Sequence, residues 1–421
     1  MKVRRIIAIC IIMALVVPGF LFAQGAEETG ETVIKWPTMW VGEDSKAGEV
    51  ERLVNEFNEI NDGTYQVDME ANPDYDGYRT KISALVAAKA VPDVFIFNPD
   101  PVTFKFYEGD LLMDFTDELA GPWGDVFVGG SIAEATKNGE TKSVPFEIAV
   151  TPIWYNETLM AKAGVKEFPE TMDDFWVICD QLKAAGIIPT SQMTGGTNAW
   201  TSMLWFSHIA ASIGGPNVWE KPITDKAFVQ AAEILLGMYS DGNTSRDAVG
   251  GDAGIAGGHF LAGRSAMFIN GPWYIGRVRG DAPEVYANTG IAALPAAGDY
   301  PGGQMGFPLS SLAAAATDDA AKEEAVVAFM KWMTTPENVK GISMDSGALF
   351  AIQYEMGADD VVDPLQKKFM EAVGNATFVS SIFSTHYGSD VVAEFGQALA
   401  KMALGKATPT EFVQQIADSI K

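Results

Sequence analysis

The chain has 421 residues, enough for two domains, and 48% of them are hydrophobic, so each domain has the material for a sizeable core. Lys and Arg number 29 against 55 Asp and Glu, and the resulting charge of −26 argues against binding to nucleic acid or to an anionic membrane surface. Two Cys and three scattered His exclude a disulfide scaffold and a recognisable metal motif, so we predict neither a metal site nor a cofactor.

Residues 1–25 have the layout of a secretory signal peptide. Basic residues within the first five positions precede an apolar run over 6–17, and small residues follow at 23, 25 and 26. A transmembrane anchor is the alternative, but Pro18 interrupts the apolar run and polar sequence follows it. Lipid attachment at Cys10 is a further alternative that would need a very short signal core. We predict a cleaved signal and a periplasmic protein.

Strand-like and helix-like segments alternate after the signal. β-branched and aromatic residues in TVIKWPTMW, YQVDMEA and VFIFN predict strands, the last one buried on both faces. EVERLVNEFNEIN has apolar residues at helical spacing, from Val50 to Ile60, and YRTKISALVAAKA predicts a second helix. This alternation is typical of an α/β fold with a parallel sheet.

The alternation resumes in the second part of the chain, which predicts a second α/β unit. TPIWYN predicts a strand, and Thr171 with Asp174 fits a capping box at the start of a helix. Helical patterns lie near 198–212 and 225–240, and the glycine-rich run 241–258 predicts a surface loop. GRSAMFINGPW predicts a buried strand, and AKEEAVVAFMKWMTTPENVKG and the end of the chain predict helices.

Motifs for nucleotide binding and for serine hydrolases are missing from the sequence. It contains no GxxxxGK[ST], GxSxG or GxGxxG pattern. The three His are far apart and are predicted to be structural or surface residues. Carboxylates are abundant, so counting them leaves a glycosidase-like acid pair open.

Aromatic residues at predicted strand ends and turns are the unusual feature. Aromatic rings at such places suit a carbohydrate site, because sugar C–H faces stack on rings while carboxylates and amides bind the hydroxyls. Core packing is the alternative for any one ring. The set comprises Trp40, Phe97, Trp200, Trp205, Trp273, Phe383 and Tyr387.

Four stretches, in this order along the chain, resemble the sugar-binding family 1 of extracellular solute-binding proteins, the maltose-binding-protein-like receptors of ATP-driven (ABC) importers. The stretches are KISALVAAKAVPDVFIFN, VPFEIAVTPIWYNETLMAKAG with FPETMDDF, FLAGRSAMFINGPW, and AVVAFMKWMTTPENVKGISMDSGAL. The resemblance extends from about residue 30 to 420.

The resemblance implies a two-lobed α/β periplasmic-binding-protein fold with a hinge and a ligand cleft between the lobes. The N-terminal lobe would comprise 31–145 and 303–352, and the C-terminal lobe 146–302 and 353–421. Crossings between lobes would lie near 144–149, 294–306 and 351–358, where Pro and Gly allow hinge motion.

The resemblance also implies ligand-binding positions. Trp273 in INGPW matches a position that stacks on sugar, Asp100 matches an acceptor of hydroxyl hydrogen bonds, and Phe97 stands where a stacking aromatic often occurs. Glu43 or Asp44, after Trp40, lies in the right region, and the choice between them stays open.

Five further positions carry weaker assignments. Thr151 stands where maltose-binding protein has an acidic residue, which implies a different hydroxyl pattern and argues against maltose, and Glu147 is a candidate to compensate. Asn198, Trp200 and Tyr387 are assigned by region.

The resemblance implies a monomeric, non-catalytic receptor that captures a mono- or oligosaccharide and delivers it to an ABC permease with its ATPase. Closure would favour the shape that docks on the permease. A polyol, a phosphorylated polyol or a polyamine is an alternative cargo, and an exported carbohydrate-active enzyme is an alternative of another class. The acidic charge weighs against a phosphate ester, which needs Arg or helix N-termini.

Overall fold

The computed structural model describes residues 30–101, 103–196 and 198–420. The signal peptide and Cys10 lie outside these residues. Buried side chains form two main hydrophobic cores. The first core draws on residues within 34–146 and 312–352, and the second on residues within 149–307 and 382–416. A smaller cluster beside the second core adds residues within 154–285 and 365–369.

The first stretch of chain builds most of the first core. Helix α1 buries Val50, Leu53, Val54 and Phe57 as its spacing predicts, whereas Ile60 at its end is 64% exposed. The elements are β1 (Thr32–Thr38), α1 (Ala47–Ile60), β2 (Tyr65–Ala71), α2 (Tyr75–Ala87), β3 (Val94–Phe97), α3 (Thr116–Leu119), α4 (Ser131–Ala135) and the 3-10 helices Thr103–Tyr107 and Gly124–Val126. Strands β1 and β2 pair in parallel, and β3 is buried throughout as predicted.

The middle stretch follows strand β4 (Val144–Val150) and builds the second core. Its elements are β5 (Ile153–Asn156), α5 (Glu157–Lys162), α6 (Met172–Ala184), β6 (Ile188–Thr190), α7 (Trp200–Gly214), α8 (Lys226–Tyr239), α9 (Ala253–Leu261), β7 (Ser265–Ile269), α10 (Ile275–Asp281), α11 (Pro283–Ala287), β8 (Thr289–Ala292) and the 3-10 helices Val218–Glu220 and Pro272–Tyr274. Four strands form a sheet in the order β6-β7-β5-β8. Thr171 caps α6 by accepting from the N–H of Asp174, as predicted. The carboxylate of Asp174 accepts from the Thr171 hydroxyl at 2.7 Å instead of from the backbone N–H that a capping box uses.

The glycine-rich run 241–258 is only partly a loop. Its end forms the start of α9, because the carboxylate of Asp252 accepts a hydrogen bond from the N–H of Ile255 and caps the helix. The glycines that suggested a loop also allow close packing: a Cβ atom at Gly257 would lie 2.4 Å from the hydroxyl oxygen of Tyr274.

The last stretch returns to the first core and then leaves it again. Strand β9 (Gln304–Ala314), α12 (Ala320–Met333), α13 (Pro336–Ser346) and β10 (Leu349–Phe350) complete the first core. The chain then adds α14 (Pro364–Gly374), β11 (Val379–Ser380), α15 (Phe383–His386), α16 (Ser389–Ala403) and α17 (Pro409–Ser419), which pack on the second core and its neighbouring cluster. Across the part of the chain that the structure describes, no helix has the length and apolar character needed to cross a bilayer.

Strands β4 and β9 connect the two cores. Phe146 on β4 belongs to the first core and Ala149 to the second, while on β9 Phe307 belongs to the second core and Leu312 to the first. The two strands pair antiparallel, from Val144 opposite Leu312 to Val150 opposite Gly306. The return to the first core therefore occurs within regular strand, later than the Pro/Gly-containing segment 294–306. The last residue of the first core is Ile352, and the next buried residue, Leu365, belongs to the smaller cluster beside the second core. The chain therefore crosses a third time between these two residues.

The strands are not uniformly parallel. Strands β1 and β2, and β6 and β7, pair in parallel, but β3 and β4 both pair antiparallel with β9. The prediction of a parallel sheet is therefore wrong for the central strands. Local alternation could not reveal β9, since this strand comes from a distant part of the sequence.

Candidate functional site

A cavity of about 410 Å³ lies where the two cores face each other. This volume falls within the roughly 300–1,000 Å³ range of small-molecule sites. The side chains on one wall come from α2 and the segment after β3. Those on the opposite wall come from the start of α7 with the turn before it, from α15, from Tyr387 and from the first turns of α16. Phe307 and its neighbours on the crossing strand β9 form the floor.

The wall from the first core is polar, and Asp100 is at its centre. This residue follows the end of β3, where a doubly wound sheet is expected to present a ligand. Its Oδ1 atom accepts a 2.8 Å hydrogen bond from the N–H of Thr103, and its Oδ2 atom accepts a 2.7 Å hydrogen bond from Nη2 of Arg79 on α2. Tyr75, one helical turn before Arg79, is 39% exposed and also lines the cavity. These contacts hold a carboxylate, a guanidinium and an aromatic ring on one surface.

The wall from the second core is aromatic. Trp200 begins α7 and is partly buried, and Tyr387 and Phe307 line the cavity with it. The Trp200 ring lies 6.1 Å from the Phe307 ring and 6.0 Å from the Trp273 ring, centroid to centroid. Burial raises the pKa of the Tyr387 phenol, so its hydroxyl stays protonated at neutral pH and is able to donate a hydrogen bond.

The turn before Trp200 has an unusual backbone. Ala199, fully buried, has φ of +43°, a left-handed conformation that costs a residue with a Cβ atom free energy unless its surroundings impose it. Asn198, immediately before it, lines the cavity. This turn therefore orients both Asn198 and Trp200 towards the same space.

A model of the family described as bacterial extracellular solute-binding protein matches residues 43–340. The match covers more than half of the chain. The chain belongs to the bacterial extracellular solute-binding proteins. The family identified from sequence resemblance is thereby confirmed.

Individual relatives are more distant than the family match. A "probable sugar-binding periplasmic protein" from Mesorhizobium japonicum is 28% identical over 228 residues, which are 47% of this chain and 48% of that protein. A maltotriose-binding protein from Pyrococcus abyssi is 24% identical over 331 residues, which are 74% of this chain and 65% of that protein. The chain thus spans between about half and two thirds of the length of these curated relatives.

Solved structures agree on the fold. A chitin oligosaccharide binding protein superposes with a TM-score of 0.84 at 21% identity, covering 92% of this chain and 98% of that chain. At this level of identity the likeness shows the fold alone. This solute-binding protein has the two-lobed α/β fold of periplasmic binding proteins, as predicted.

Four of the residues predicted from the sequence line the cavity of this solute-binding protein: Asp100, Asn198, Trp200 and Tyr387. Trp273 is not among the residues that line it, but its ring packs against the ring of Trp200. The backbone carbonyl of Trp273 also accepts a 3.1 Å hydrogen bond from Ser45 Oγ, which links the second core to the loop before α1.

Three other predicted residues are buried in the cores instead of facing the cavity. Phe97 is 1% exposed and lies against Phe104 and Tyr107, because its side chain points to the core face of β3. Trp40 is 1% exposed and packs on Phe146. Thr151 is fully buried, and its carbonyl oxygen lies 2.6 Å from Nε2 of His208.

The remaining predicted residues belong to the loop before α1 and to the crossing strand. Glu43 is exposed, and Asp44 forms an ion pair with Lys46 at 3.2 Å. Glu147 is 3% exposed on β4, where Lys46 lies 3.4 Å from its carboxylate. These three carboxylates lie outside the cavity lining. Among the described residues, no three or more His, Cys, Asp and Glu side chains are grouped so that they could hold a metal ion.

Sequence reasoning missed Tyr75, Arg79 and Phe307, which line the cavity. The spacing of four between Tyr75 and Arg79 does place both on one face of α2. The sequence of that face is typical of an ordinary solvated helix surface, since nothing in the local sequence indicates that a second lobe lies opposite it.

Proposed function

We propose that this protein is the substrate-binding subunit of an ABC importer and captures a sugar, a mono- or oligosaccharide, in the cavity between its lobes. The observation that carries the proposal is the pairing of an aromatic wall around Trp200 with a polar wall around Asp100. A sugar ring presents C–H faces suited to the first wall and hydroxyls suited to the second. The names of the two relatives, a sugar-binding and a maltotriose-binding protein, support this ligand class.

We also propose that ligand binding closes the lobes. The lobes follow the predicted bounds, 31–145 with 303–352 for the N-terminal lobe and 146–302 with 353–421 for the C-terminal lobe, except that the crossing on β9 falls between Phe307 and Leu312. Two paired strands, β4 and β9, connect the cores, and a pair of strands bends more readily than a packed interface between domains. A ligand that touches both walls stabilises the closed shape, which then docks on the permease with its ATPase.

The proposed cellular setting follows from the same role. A signal peptide over 1–25 directs the chain to the periplasm, where the mature protein acts as a monomer without cofactor or catalytic residues. Trp273, Trp40, Phe97, Glu43, Asp44, Glu147 and Thr151 remain candidate contributors, whose side chains support or surround the two walls instead of lining the cavity described above.

A thermal-shift screen tests the proposal. The purified mature protein is heated with neutral mono- and oligosaccharides, polyols and polyamines, because a ligand that binds only the folded state raises the melting temperature. We expect a rise with one group of neutral sugars and with no polyamine. Calorimetry then measures affinity, and the sugar is recovered after denaturation. Steady conversion of the bound sugar into product would contradict the receptor role and favour an enzyme.

A further inference from the structure

The two lobes touch at a place separate from the crossing strands β4 and β9. Helix α10 belongs to the cluster beside the second core, and its first turn lies against the first lobe. A Cβ atom at Gly276 would lie 2.9 Å from Cβ of Ser45 in the loop before α1 and 3.2 Å from the carbonyl oxygen of Ser346, the last residue of α13. Nonbonded carbon atoms pack at about 3.5–4.0 Å, so a side chain at position 276 has no room while the lobes are this close.

The first lobe presents a glycine at the same contact. Gly347 follows the end of α13 with φ of +81°, a left-handed conformation that favours glycine. A Cβ atom there would lie 2.7 Å from Cβ of Ile275, the first residue of α10. One glycine from each lobe therefore lets α10 and the end of α13 approach more closely than side chains would allow.

Polar contacts hold the same two surfaces together. Ser45 Oγ donates a 3.1 Å hydrogen bond to the carbonyl oxygen of Trp273, which lies two residues before α10. Further along α10, Arg279 donates to the carbonyl oxygen of Asp345 in the last turn of α13 and, at 2.8 Å, to Oδ2 of Asp363. A cation at the carboxyl end of a helix is stabilised by the helix dipole. The contact is therefore built by specific groups on both lobes.

The contact is connected to the cavity through Trp273. The Trp273 ring lies 6.0 Å from the ring of Trp200, which lines the cavity. The 3-10 helix Pro272–Tyr274 leads directly into α10, so Trp273 and Gly276 belong to one short, continuous segment. A change in the distance between α10 and the first lobe therefore changes the position of the aromatic wall relative to the polar wall.

We propose that Gly276 and Ser45 are a size-matched pair, which sets how closely the two walls approach each other when the lobes close over a ligand. The inference rests on the proposed function and adds to it the residues that set the closed position. Neither residue is among those that line the cavity, so both act through the distance between the walls. A sugar must touch both walls, and its hydrogen bonds need donor–acceptor distances of about 2.5–3.2 Å.

A larger residue at position 276 has a specific consequence. In the closed shape its side chain collides with Ser45, and opening of the lobes relieves the collision. The ligand must then supply the free energy that closure costs, and the apparent affinity falls with the fraction of molecules that are able to close. Because each lobe keeps its own core, the melting temperature without sugar should not change.

The test compares five forms of the mature protein: wild type, Gly276→Ala, Ser45→Gly, the double variant Ser45→Gly/Gly276→Ala, and the control Gly280→Ala. Gly280 lies on the same helix with nothing within 4 Å of an added Cβ atom, so its replacement raises helix propensity without touching the first lobe. Calorimetry measures binding of the neutral sugar that gives the largest thermal shift. Small-angle X-ray scattering measures the radius of gyration with and without that sugar, and the melting temperature without sugar measures stability. If Gly276→Ala does not fold, Ser45→Val enlarges the same contact from the first lobe.

Wild type and Gly280→Ala are expected to bind the sugar equally well and to contract on binding. Gly276→Ala should bind about tenfold more weakly and keep a larger radius of gyration at saturating sugar, while its melting temperature without sugar matches that of Gly280→Ala. Ser45→Gly loses the hydrogen bond to Trp273 and should bind about threefold more weakly. The double variant should bind as well as Ser45→Gly, because the smaller residue makes room for the added methyl group.

The contrary outcomes are distinct. If wild type binds the sugar and Gly276→Ala equals it in affinity and in radius of gyration, this inference is overturned and the proposed function stands. Tighter binding by Gly276→Ala, or a double variant that binds no better than Gly276→Ala, overturns it in the same way. A melting temperature of Gly276→Ala well below that of Gly280→Ala would show that the glycine serves stability instead of closure. If wild type binds none of the neutral sugars, the proposed function fails, and this inference fails with it.

Discussion

The Nζ atom of Lys46 lies 3.4 Å from Oε1 of Glu147, and this buried ion pair joins the loop before α1 to the strand that crosses between the two cores. Ser310 on the neighbouring crossing strand donates a 2.9 Å hydrogen bond to Oε2 of Glu147. Asp44 is a second carboxylate 3.2 Å from Lys46. Both crossing strands and the first lobe are therefore tied together at one point.

The charges of this group are unequal, with two carboxylates around one ammonium. Burial opposes the charge of Lys46, yet Glu147 and Asp44 together raise the pKa of its ammonium above the ordinary value. Burial raises the pKa of the Glu147 carboxyl; Lys46 opposes this shift and Asp44 adds to it. Lys46 is consequently the counter-charge that offsets the cost of burying the Glu147 carboxylate.

Removing Lys46 alone is therefore expected to destabilise the protein. Lys46→Met should lower the free energy of unfolding by roughly 3–5 kcal/mol, because Glu147 then stays buried without a counter-charge. The double variant Lys46→Met/Glu147→Gln should recover much of that loss. Urea unfolding measures both, with Lys35→Met as the control, since the exposed Lys35–Asp68 pair contributes about 1 kcal/mol or less. A Lys46→Met protein as stable as this control would contradict the prediction.

The aromatic wall makes a prediction about binding. Trp200→Ala should weaken sugar affinity by at least about tenfold, or about 1.4 kcal/mol, because Trp200 lines the cavity. Trp273→Ala should weaken it less, by removing a ring that packs against Trp200. Because the two rings touch, the loss in the double variant should differ from the sum of the single losses. Calorimetry checks this, with Trp332→Phe in the first core as the control. If Trp200→Ala binds the sugar with unchanged affinity, Trp200 is not the principal stacking surface.

Gly271 provides a separate test of the same wall. A Cβ atom at this position would lie 2.0 Å from Cζ3 of Trp273, so the ring lies directly on the glycine. Gly271→Ala should displace the Trp273 ring and weaken sugar affinity to a degree similar to Trp273→Ala. Gly258→Ala is the matched control, because nothing lies within 4 Å of its added Cβ. Equal affinities of both glycine variants and wild type would show that the position of the Trp273 ring does not matter for binding.

The sequence predicted those parts of the fold that depend on local patterns. The buried face of α1, the cap of α6 at Thr171 and the fully buried strand β3 are each set by residues a few positions apart. The antiparallel pairing of β3 with β9 joins Phe97 to Ser311, and such distant pairing leaves no local signal. That is why the predicted parallel sheet was only partly right.

The site was predictable to a similar extent. Trp200 stood out as an aromatic residue at the start of a predicted helix, and Asp100 was identified by the resemblance to the family; both line the cavity. The same rule selected Phe97, which faces the core, because the sequence does not say which side of a strand end meets the opposite lobe. Arg79 was missed because charged residues are common on the exposed faces of helices. Only the structure shows that this one faces Asp100.

The acid sensitivity of the second core should depend on His208. Burial lowers the pKa of this residue to about 4, with the carbonyl of Thr151 accepting from Nε2–H at 2.6 Å. Because the pKa in the unfolded chain is about 6.5, the unfolded state takes up the proton first as the pH falls. The stability that the neutral ring contributes is complete above pH about 6.5 and is lost as the pH falls towards about 4.

Between pH 7 and pH 4.5 this group alone should remove about 2 kcal/mol from the free energy of unfolding. In His208→Gln, the Nε2–H···O contact has an amide replacement but no group titrates, so stability should fall by about 2 kcal/mol less than in wild type over the same interval. Urea unfolding at both pH values measures the difference between the two slopes and is insensitive to a constant cost of the substitution. His386→Gln serves as the control. Burial lowers the pKa of His386 as well, but this residue is exposed whereas His208 is buried, so its replacement should change the slope less. Equal slopes for wild type and His208→Gln would mean that His208 is protonated in the folded protein at pH 4.5.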